Sequence, residues 1–436
     1  MAFAKTLLLS FIAPVSVYVP SAVHAADLAK SEFDEVVVTA SRIEQPLAEV
    51  GVSVDVLNSE DLIQRNNTSL ADILRTLPGI NVSNSGGPGK ATSVFIRGED
   101  AFRTRLYIDG IAVSDTTATQ ISPRFDALLN QQLGRVEVLK GPQALMYGAD
   151  SGGVISVFTP EARDAFNADV DVEAGSFNTN NISGNVRGKN KDFNYFVSSG
   201  FLTTAGFNSR ADDSTVDSDG FRAGNVHLRA RAQLNEQQSL GVVGRINTSA
   251  NEYDSCFAAN FTRWDSCDDT SSSNAERVDW RYSAQQLQQE FALAHYENQH
   301  DRHLAAGLDK NESLSGASDE AHYFAHYQHN NEVGISLGLS GRREAFLQKI
   351  VADSFKADET RESYGVFSEW LIRPTEAFSY SLGARWDTDA DFGSHTSYRL
   401  AGAYILPTSG PQIKWRAATS TGFRLPSFYE IYFNNH

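Results

Sequence analysis

Cysteine is almost missing from this chain of 436 residues: Cys256 and Cys267 are its two. One short-range disulfide is the most they can supply. Positive charge is also scarce, with 37 Lys and Arg against 54 Asp and Glu and a net charge of −17. That balance excludes a nucleic-acid binder, which needs a basic face. Beyond the N-terminus no run reaches the roughly 18 apolar residues of a membrane helix, and the mean hydropathy is −0.32. A helical membrane protein is thereby excluded, but a membrane barrel is not, because alternating strands average out to polar. Catalytic signatures are lacking too. There is no Gly-x-Ser-x-Gly elbow and no His-Glu-x-x-His pair, so hydrolase readings have no support. Gly86-Gly-Pro-Gly-Lys90 is not a phosphate loop, since Ala91 follows the lysine where Ser or Thr is needed. It reads as a loop tip shaped by Gly and Pro.

What is present begins with an export signal. Lys5 gives the positive end, Leu7 to Val19 the short apolar run, and Val23-His24-Ala25 the small residues of a cleavage site. Residues 1–25 are expected to be removed, and the mature chain enters an oxidising compartment. There Cys256 and Cys267 are expected to close a disulfide rather than remain as reactive thiols. Residues 50–160 then read as a compact domain of helices and strands. Val52 to Val56 alternates as a strand; Ser59 is expected to cap a helix from Glu60. Thr68 is expected to cap a second helix with Leu70, Ile73, Leu74 and Leu77 on one face and Pro78-Gly79 at its end. Val94 to Ile96, Leu106 to Ile108 (closed by an Asp109-Gly110 turn) and Val136 to Leu139 are strand-like, and Ser122-Pro123 predicts another helix start.

After Pro160 the period becomes two. Val170, Val172 and Ala174 alternate with Asp169, Asp171 and Glu173; Val226, Leu228, Ala230, Ala232 and Leu234 with His227, Arg229, Arg231 and Gln233; Phe378, Tyr380, Leu382, Ala384 and Trp386 with Ser379, Ser381, Gly383 and Arg385. Each such strand has one apolar and one polar face. A secreted sandwich and a membrane barrel both satisfy that pattern. Aromatic residues near strand ends, such as Trp386 and Trp415, suit an interfacial girdle and favour the barrel. Histidines cluster at His295, His300, His303, His322, His326 and His329. Haem or zinc binding is one reading; ordinary polar strand and loop positions is the other and the commoner.

Several segments together resemble the TonB-dependent outer-membrane receptors. DEVVVTASR (Asp34 to Arg42) resembles the TonB box. SLADILRTLPGI (Ser69 to Ile80), VFIRG (Val94 to Gly98), LYIDGI (Leu106 to Ile111), RVEVLKGPQALMYG (Arg135 to Gly148) and GGVISVFT (Gly152 to Thr159) resemble the plug signatures, in order. TGFRLPSFYEIYF (Thr421 to Phe433) resembles a barrel segment that family members carry well before their C-terminus. The resemblance implies an α+β plug domain followed by an antiparallel transmembrane β-barrel. The divisions would be signal peptide 1–25, box and linker 26–49, plug 50–160 and barrel 161–436. It implies active uptake, with a ligand on the plug apex and outer loops, and partners TonB (with ExbB and ExbD), a corrinoid or iron chelate, and outer-membrane lipid, with no nucleic acid. It places the protein in the outer membrane of a Gram-negative cell and makes it a transporter rather than an enzyme.

The box would be Asp34, Glu35, Val36, Val37, Val38, Thr39 and Ala40. β-Branched residues in an extended, accessible segment suit strand addition by a second protein. The cobalamin receptors are the subgroup most resembled, through TVDSDGF (Thr215 to Phe221) and EYDS (Glu252 to Ser255), acidic loops that bind calcium there. Carried over residue by residue, the calcium ligands would be Asp217, Asp219, the Tyr253 carbonyl, Asp254 and, as a weaker match, Asp279. Asn208 stands where an Asp is expected and Thr215 where a Gln is. No covalent cofactor is implied. A passive pore is the competing class, although it needs neither plug nor box; a binding-only or non-functional fragment is another. Residues from about 165 onward supply about 14 strands of roughly ten residues, against about 22 in a plugged receptor barrel, so an incomplete barrel is expected.

Overall fold

A computed structural model describes residues 36–37, 39–65, 69–129, 133–208, 210, 212, 217–257, 263–304, 312–350, 355–408 and 412–432. The expected signal segment, Asp34, Glu35 and Val38 of the box, and Thr68 lie outside them.

In the N-terminal third the strands are β1 (Val36–Val37), β2 (Gln45–Pro46), β3 (Ser53–Leu57), β4 (Ile80–Asn84), β5 (Thr92–Ile96), β6 (Thr104–Ile108), β7 (Ile111–Ala112), β8 (Arg135–Lys140) and β9 (Gly153–Phe158). A mixed sheet runs in the order β3-β8-β9-β6-β7, with β6 and β9 parallel. Helices α1 (Ser59–Arg65) and α2 (Leu70–Arg75) lie between β3 and β4, and the single turn α3 (Ala144–Tyr147) follows β8. Leu70, Ile73, Leu74 and Leu77 face the core with Ile80, Ile96, Leu106, Val136, Val138, Ile155 and Val157. The i, i+3, i+4, i+7 spacing of the first four is what lets a helix this short hold its place by packing.

Local chemistry moves some expected boundaries. Asn58 rather than Ser59 caps α1, its Oδ1 accepting from the Glu60 and Asp61 amides at 2.9 and 3.1 Å. Ser69 caps α2, its hydroxyl accepting from the Asp72 amide at 3.1 Å. The helix expected at Ser122-Pro123 is absent: Ser122 bridges to Asp115 in extended form, and only a 3₁₀ turn, Phe125–Ala127, follows. Phe125 and Leu128 anchor that segment in the core, so burial of two apolar residues overrides the helix-start signal.

The C-terminal part is one antiparallel sheet of thirteen strands in consecutive order. They are β10 (Asn167–Gly175), β11 (Thr179–Lys189), β12 (Phe193–Thr204), β13 (Phe221–Gln233), β14 (Gln238–Tyr253), then, after the short hairpin β15 (Cys256–Phe257) and β16 (Arg263–Trp264), β17 (Cys267–Ser283), β18 (Leu287–Leu304), β19 (Glu312–Gln328), β20 (Val333–Ile350), β21 (Phe355–Thr375), β22 (Phe378–Asp389), β23 (Gly393–Leu406) and β24 (Ile413–Ser420). Thirteen replaces the expected count of about 14 because the middle strands are longer than the ten or so residues a bilayer requires: β21 has 21 residues. One rim has short turns. The other carries the long connections that follow β12, β14 and β18.

Side chains alternate as the period of two demands. Val226, Leu228, Leu240, Val242, Val278, Leu293, Leu337, Leu339, Val366, Leu382 and Leu400 face outward and exposed, with Trp370, Trp386, Tyr398, Tyr404 and Trp415 toward the rims. His227, Arg277, Asp279, Glu320, Glu344, Arg361, Glu369 and Arg399 face inward and are buried. An apolar outside and a charged inside is the inverse of a soluble barrel and fits a lipid exterior. The wall does not close: among the described residues β10 pairs only with β11, and β24 only with β23. An α4 turn (Phe428–Tyr432) ends the described chain, Phe428 stacking on Phe346.

Candidate functional site

Among the described residues, three of the places where the N-terminal domain meets the strand wall carry the expected site residues or their neighbours. At the long-loop rim, the turn between β4 and β5 reaches the wall. Asn84 folds it, its Oδ1 accepting from the Gly86 and Gly87 amides at 3.0 and 2.6 Å. Gly89 has φ +77°, and a Cβ there would lie 2.0 Å from the Phe221 ring, so glycine is required on both grounds. The next residue, Lys90, donates from Nζ to Asn251 Oδ1 at 2.7 Å and to the Asp219 carbonyl at 3.2 Å. Burial lowers the pKa of its ammonium from the ordinary lysine value, while Asp219, Glu252 and Asp254 act in the opposite direction.

Deeper in the lumen, two wall histidines grip two aspartates of the inner domain. His227 Nε2 lies 2.8 Å from Asp109 Oδ2. The same carboxylate accepts from the Thr159 amide and hydroxyl at 3.0 and 2.8 Å. His300 Nε2 lies 3.0 Å from Asp115 Oδ2, and Asn298 donates to Asp115 Oδ1 at 2.8 Å. Burial opposes ionisation of both aspartates. It is outweighed at Asp109 by the His227 hydrogen bond and the Arg229 charge, and at Asp115 by His300, Arg124 and the Thr117 hydroxyl, so both pKa values sit below the usual carboxylate range. The contacts of Asp109 with His227 and of Asp115 with His300 and Asn298 were not visible in the sequence, since each joins residues more than a hundred positions apart.

At the short-turn rim lies the described part of the N-terminal box. Val36 and Val37 pair with Pro46 and Gln45. Val37 is 0 % exposed, Thr39 3 % and Ala40 2 %. Val37 and Ala40 pack with Leu47, Val50, Val52 and Val54. The Thr39 amide donates to Glu137 at 2.9 Å, and the Ala40 carbonyl accepts from Arg399 at 2.9 Å. The expectation of an accessible segment is therefore corrected. Val37 and Ala40 find a pocket at the foot of the inner domain while Val36 stays exposed, and burying those two outweighs leaving the strand free.

The acidic residues taken as calcium ligands do not form one set. Asp217 is exposed and Asp219 buried beside Lys90; Tyr253 ends β14, with Asp254 following it. Asp279 lies near the short-turn end of β17, about 40 Å along the strand from Cys267 at roughly 3.3 Å per residue. It is ion-paired with Arg231 at 2.5 Å and with Arg277 and Arg281 at 3.3 and 3.4 Å, so it is removed from the set. Among the described residues no group of three or more His, Cys, Asp or Glu is placed to hold a metal. Cys256 and Cys267 are joined by a disulfide across a Cα separation of 6.3 Å. The histidines disperse: His295 and His303 face outward beside Asp319 and Asp268, His322 sits on Glu320, His326 meets Ser336 and Gln328, and His329 is exposed.

An α+β plug held inside a lipid-facing wall, with a strand at its foot and a loop tip at its crown, defines a plugged outer-membrane barrel. The TonB-dependent receptor plug domain matches residues 46–155, and the TonB-dependent receptor-like β-barrel matches residues 163–436. The chain belongs to the TonB-dependent receptors, transport receptors of the Gram-negative outer membrane. It is 27% identical to the vitamin B12 transporter BtuB of Photobacterium profundum, across 98% of this chain and 68% of that protein. It is 35% identical to BtuB of Vibrio vulnificus over 253 residues, 56% of this chain and 40% of that one. Among solved structures it resembles the siderophore receptor PirA of Acinetobacter baumannii (TM-score 0.72, 16% identity, 88% of this chain and 62% of that one). It also resembles the ferric enterobactin receptor PfeA of Pseudomonas aeruginosa (TM-score 0.73, 16% identity, 86% and 62%). The chain thus spans about two thirds of its relatives' length.

Proposed function

We propose that this chain belongs to a receptor that takes up vitamin B12 or a related corrinoid across the outer membrane, driven by TonB with ExbB and ExbD. The observation that carries the substrate is similarity to vitamin B12 transporters along nearly the whole chain. The siderophore receptors share the fold at 16% identity, a level at which a common fold does not imply a common ligand. The ligand would meet the plug crown around Gly86–Lys90 and the outer loops; TonB would take Asp34, Glu35, Val36, Val37, Val38, Thr39 and Ala40 by strand addition at the short-turn rim, once Val37 and Ala40 leave their pocket and the pairing with Gln45 and Pro46 opens.

Expression of the full-length gene in a cell lacking its own B12 receptor tests both halves. Growth on nanomolar-range cyanocobalamin that is lost without TonB is the expected result. Val37→Pro removes a backbone donor from any added strand, so uptake should be lost while cyanocobalamin still binds the cells. Growth on a ferric siderophore but not on cyanocobalamin would replace the corrinoid with an iron chelate. Unchanged uptake in Val37→Pro would remove the box.

A further inference from the structure

A calcium ion at the outer rim needs six to eight oxygens, mostly carboxylate, at about 2.3–2.6 Å. The described residues do not assemble such a set, and Asp279 is committed at the opposite end of the wall. The acidic loop ends are instead entered by a cation from the plug. Lys90 reaches Asn251 at the end of β14 and the Asp219 carbonyl just before β13. Around it the two loop ends are already interlocked: the Gly220 amide donates to Glu252 Oε2 at 2.9 Å, and the Glu252 amide to the Gly220 carbonyl at 3.0 Å. Packing fixes the approach. Gly89 lies against Phe221, and Gly87 against Phe207, where a Cβ would come within 3.1 Å of the ring. The neighbouring negative charges are Asp219, Glu252 and Asp254.

We propose that the Lys90 ammonium stands in for the divalent cation, tying the loop ends at Asp219–Phe221 and Asn251–Asp254 to the plug crown so that the outer face of this receptor is ordered without a metal. One consequence is mechanical. The tie runs from the plug to the wall, so any displacement of the crown breaks it and loosens the loops. Another is electrostatic. Removing the ammonium takes positive charge away from Asp219, Glu252 and Asp254 and creates an attraction for calcium beyond that of the native protein. The inference rests on the receptor reading but not on which ligand is carried.

The test uses the full-length receptor in detergent, with cleavage by a non-specific protease in the segments flanking Phe207, Phe221 and Asp254 followed by mass spectrometry, in about millimolar calcium or in chelator. The native protein should be cut at the same rate in both. Lys90→Met should be cut about tenfold faster in chelator, as loss of a charge-assisted hydrogen bond implies, and calcium should slow it again. Lys90→Arg, which keeps the charge, should behave as the native protein does. A native receptor whose loops are protected only in calcium would overturn the proposal, as would Lys90→Met cut no faster than native in chelator. Calcium independence in the native and Lys90→Arg proteins is measurable even if Lys90→Met does not fold. Because the readout is loop exposure, failure of the corrinoid reading leaves this result intact.

Discussion

At the scale of single residues, glycine does the least replaceable work at the crown. Gly89 combines φ +77° with an aromatic ring occupying the space a side chain would need. Gly89→Ala must therefore adopt a strained backbone and push either its own loop or Phe221 aside, at a cost of about 1–3 kcal/mol. Lower thermal stability of the full-length receptor and faster proteolysis at Phe221 are the expected outcomes. Phe221→Ala added to Gly89→Ala should recover the steric part but not the backbone part. A single variant with native melting and native proteolysis would show that the loop has slack here. Lys90 next door illustrates why such residues escape sequence reading. As the last residue of a failed phosphate-loop pattern it suggests nothing; its partners Asp219 and Asn251 are 129 and 161 positions away, and no local period encodes a contact of that range.

Elements were legible in proportion to how long and how regular their pattern is. The alternation in β10, β13 and β22 is visible because a wall strand between lipid and lumen repeats every two residues over many residues. Helix α2 is visible from its four-residue apolar face. The β4–β5 hairpin is not, because Ile80 to Asn84 follows a Pro-Gly stop and carries two apolar residues among polar ones. The box strand was legible in type but not in burial, since the pocket that takes Val37 is built from β3, β8, β9 and β23, elements far along the chain. The two histidine–aspartate contacts show what elements do once placed. Asp109 closes the turn after β6 and meets His227, Arg229 and Arg245; Asp115 follows β7 and meets His300 and Arg124. Both carboxylates titrate below their unfolded value, so their contribution to plug docking is complete above the unfolded pKa near 4. It is lost as pH falls through the lower folded values. Urea unfolding of the plug, followed by a fluorescent label, should be pH-independent for these groups above about pH 5 and should weaken steeply in more acid solution. Asp109→Asn with Asp115→Asn should be weaker at neutral pH and flatter below pH 4. An acid profile identical to that of the native protein would mean that the pairs do not hold the plug.

At the scale of the whole molecule the deciding fact is that, among the described residues, the thirteen-stranded wall has two edges. Along β10 and β24 about half of the backbone N–H and C=O groups point away from their single neighbour. Val170 and Val172 on β10 are 73 % and 75 % exposed, so this edge carries the apolar face of a lipid-contacting strand. In hydrocarbon each unsatisfied backbone group costs several kcal/mol, and about half of the groups on strands of 9 and 8 residues, roughly eight on each edge, sum to tens of kcal/mol. Joining β10 directly to β24 removes that cost only by narrowing the lumen, whereas plugged outer-membrane barrels use about 22 strands to enclose a folded domain. The plug already fills the space: β23 and β24 press on it through Arg399, Lys414 and Arg416, and Ser420 donates to the Pro142 carbonyl at 2.9 Å. Closure of these thirteen strands and retention of the plug therefore compete. Residues 1–436 produced by themselves are expected to accumulate as periplasmic aggregate or loosely bound material, without the shift in gel mobility on heating that marks a closed barrel. A longer chain supplying strands beyond β24 should show that shift and resist protease at the plug. Heat-modifiable migration of residues 1–436 from washed outer membranes, with the plug protected, would mean that thirteen strands close around it and that the edge argument fails.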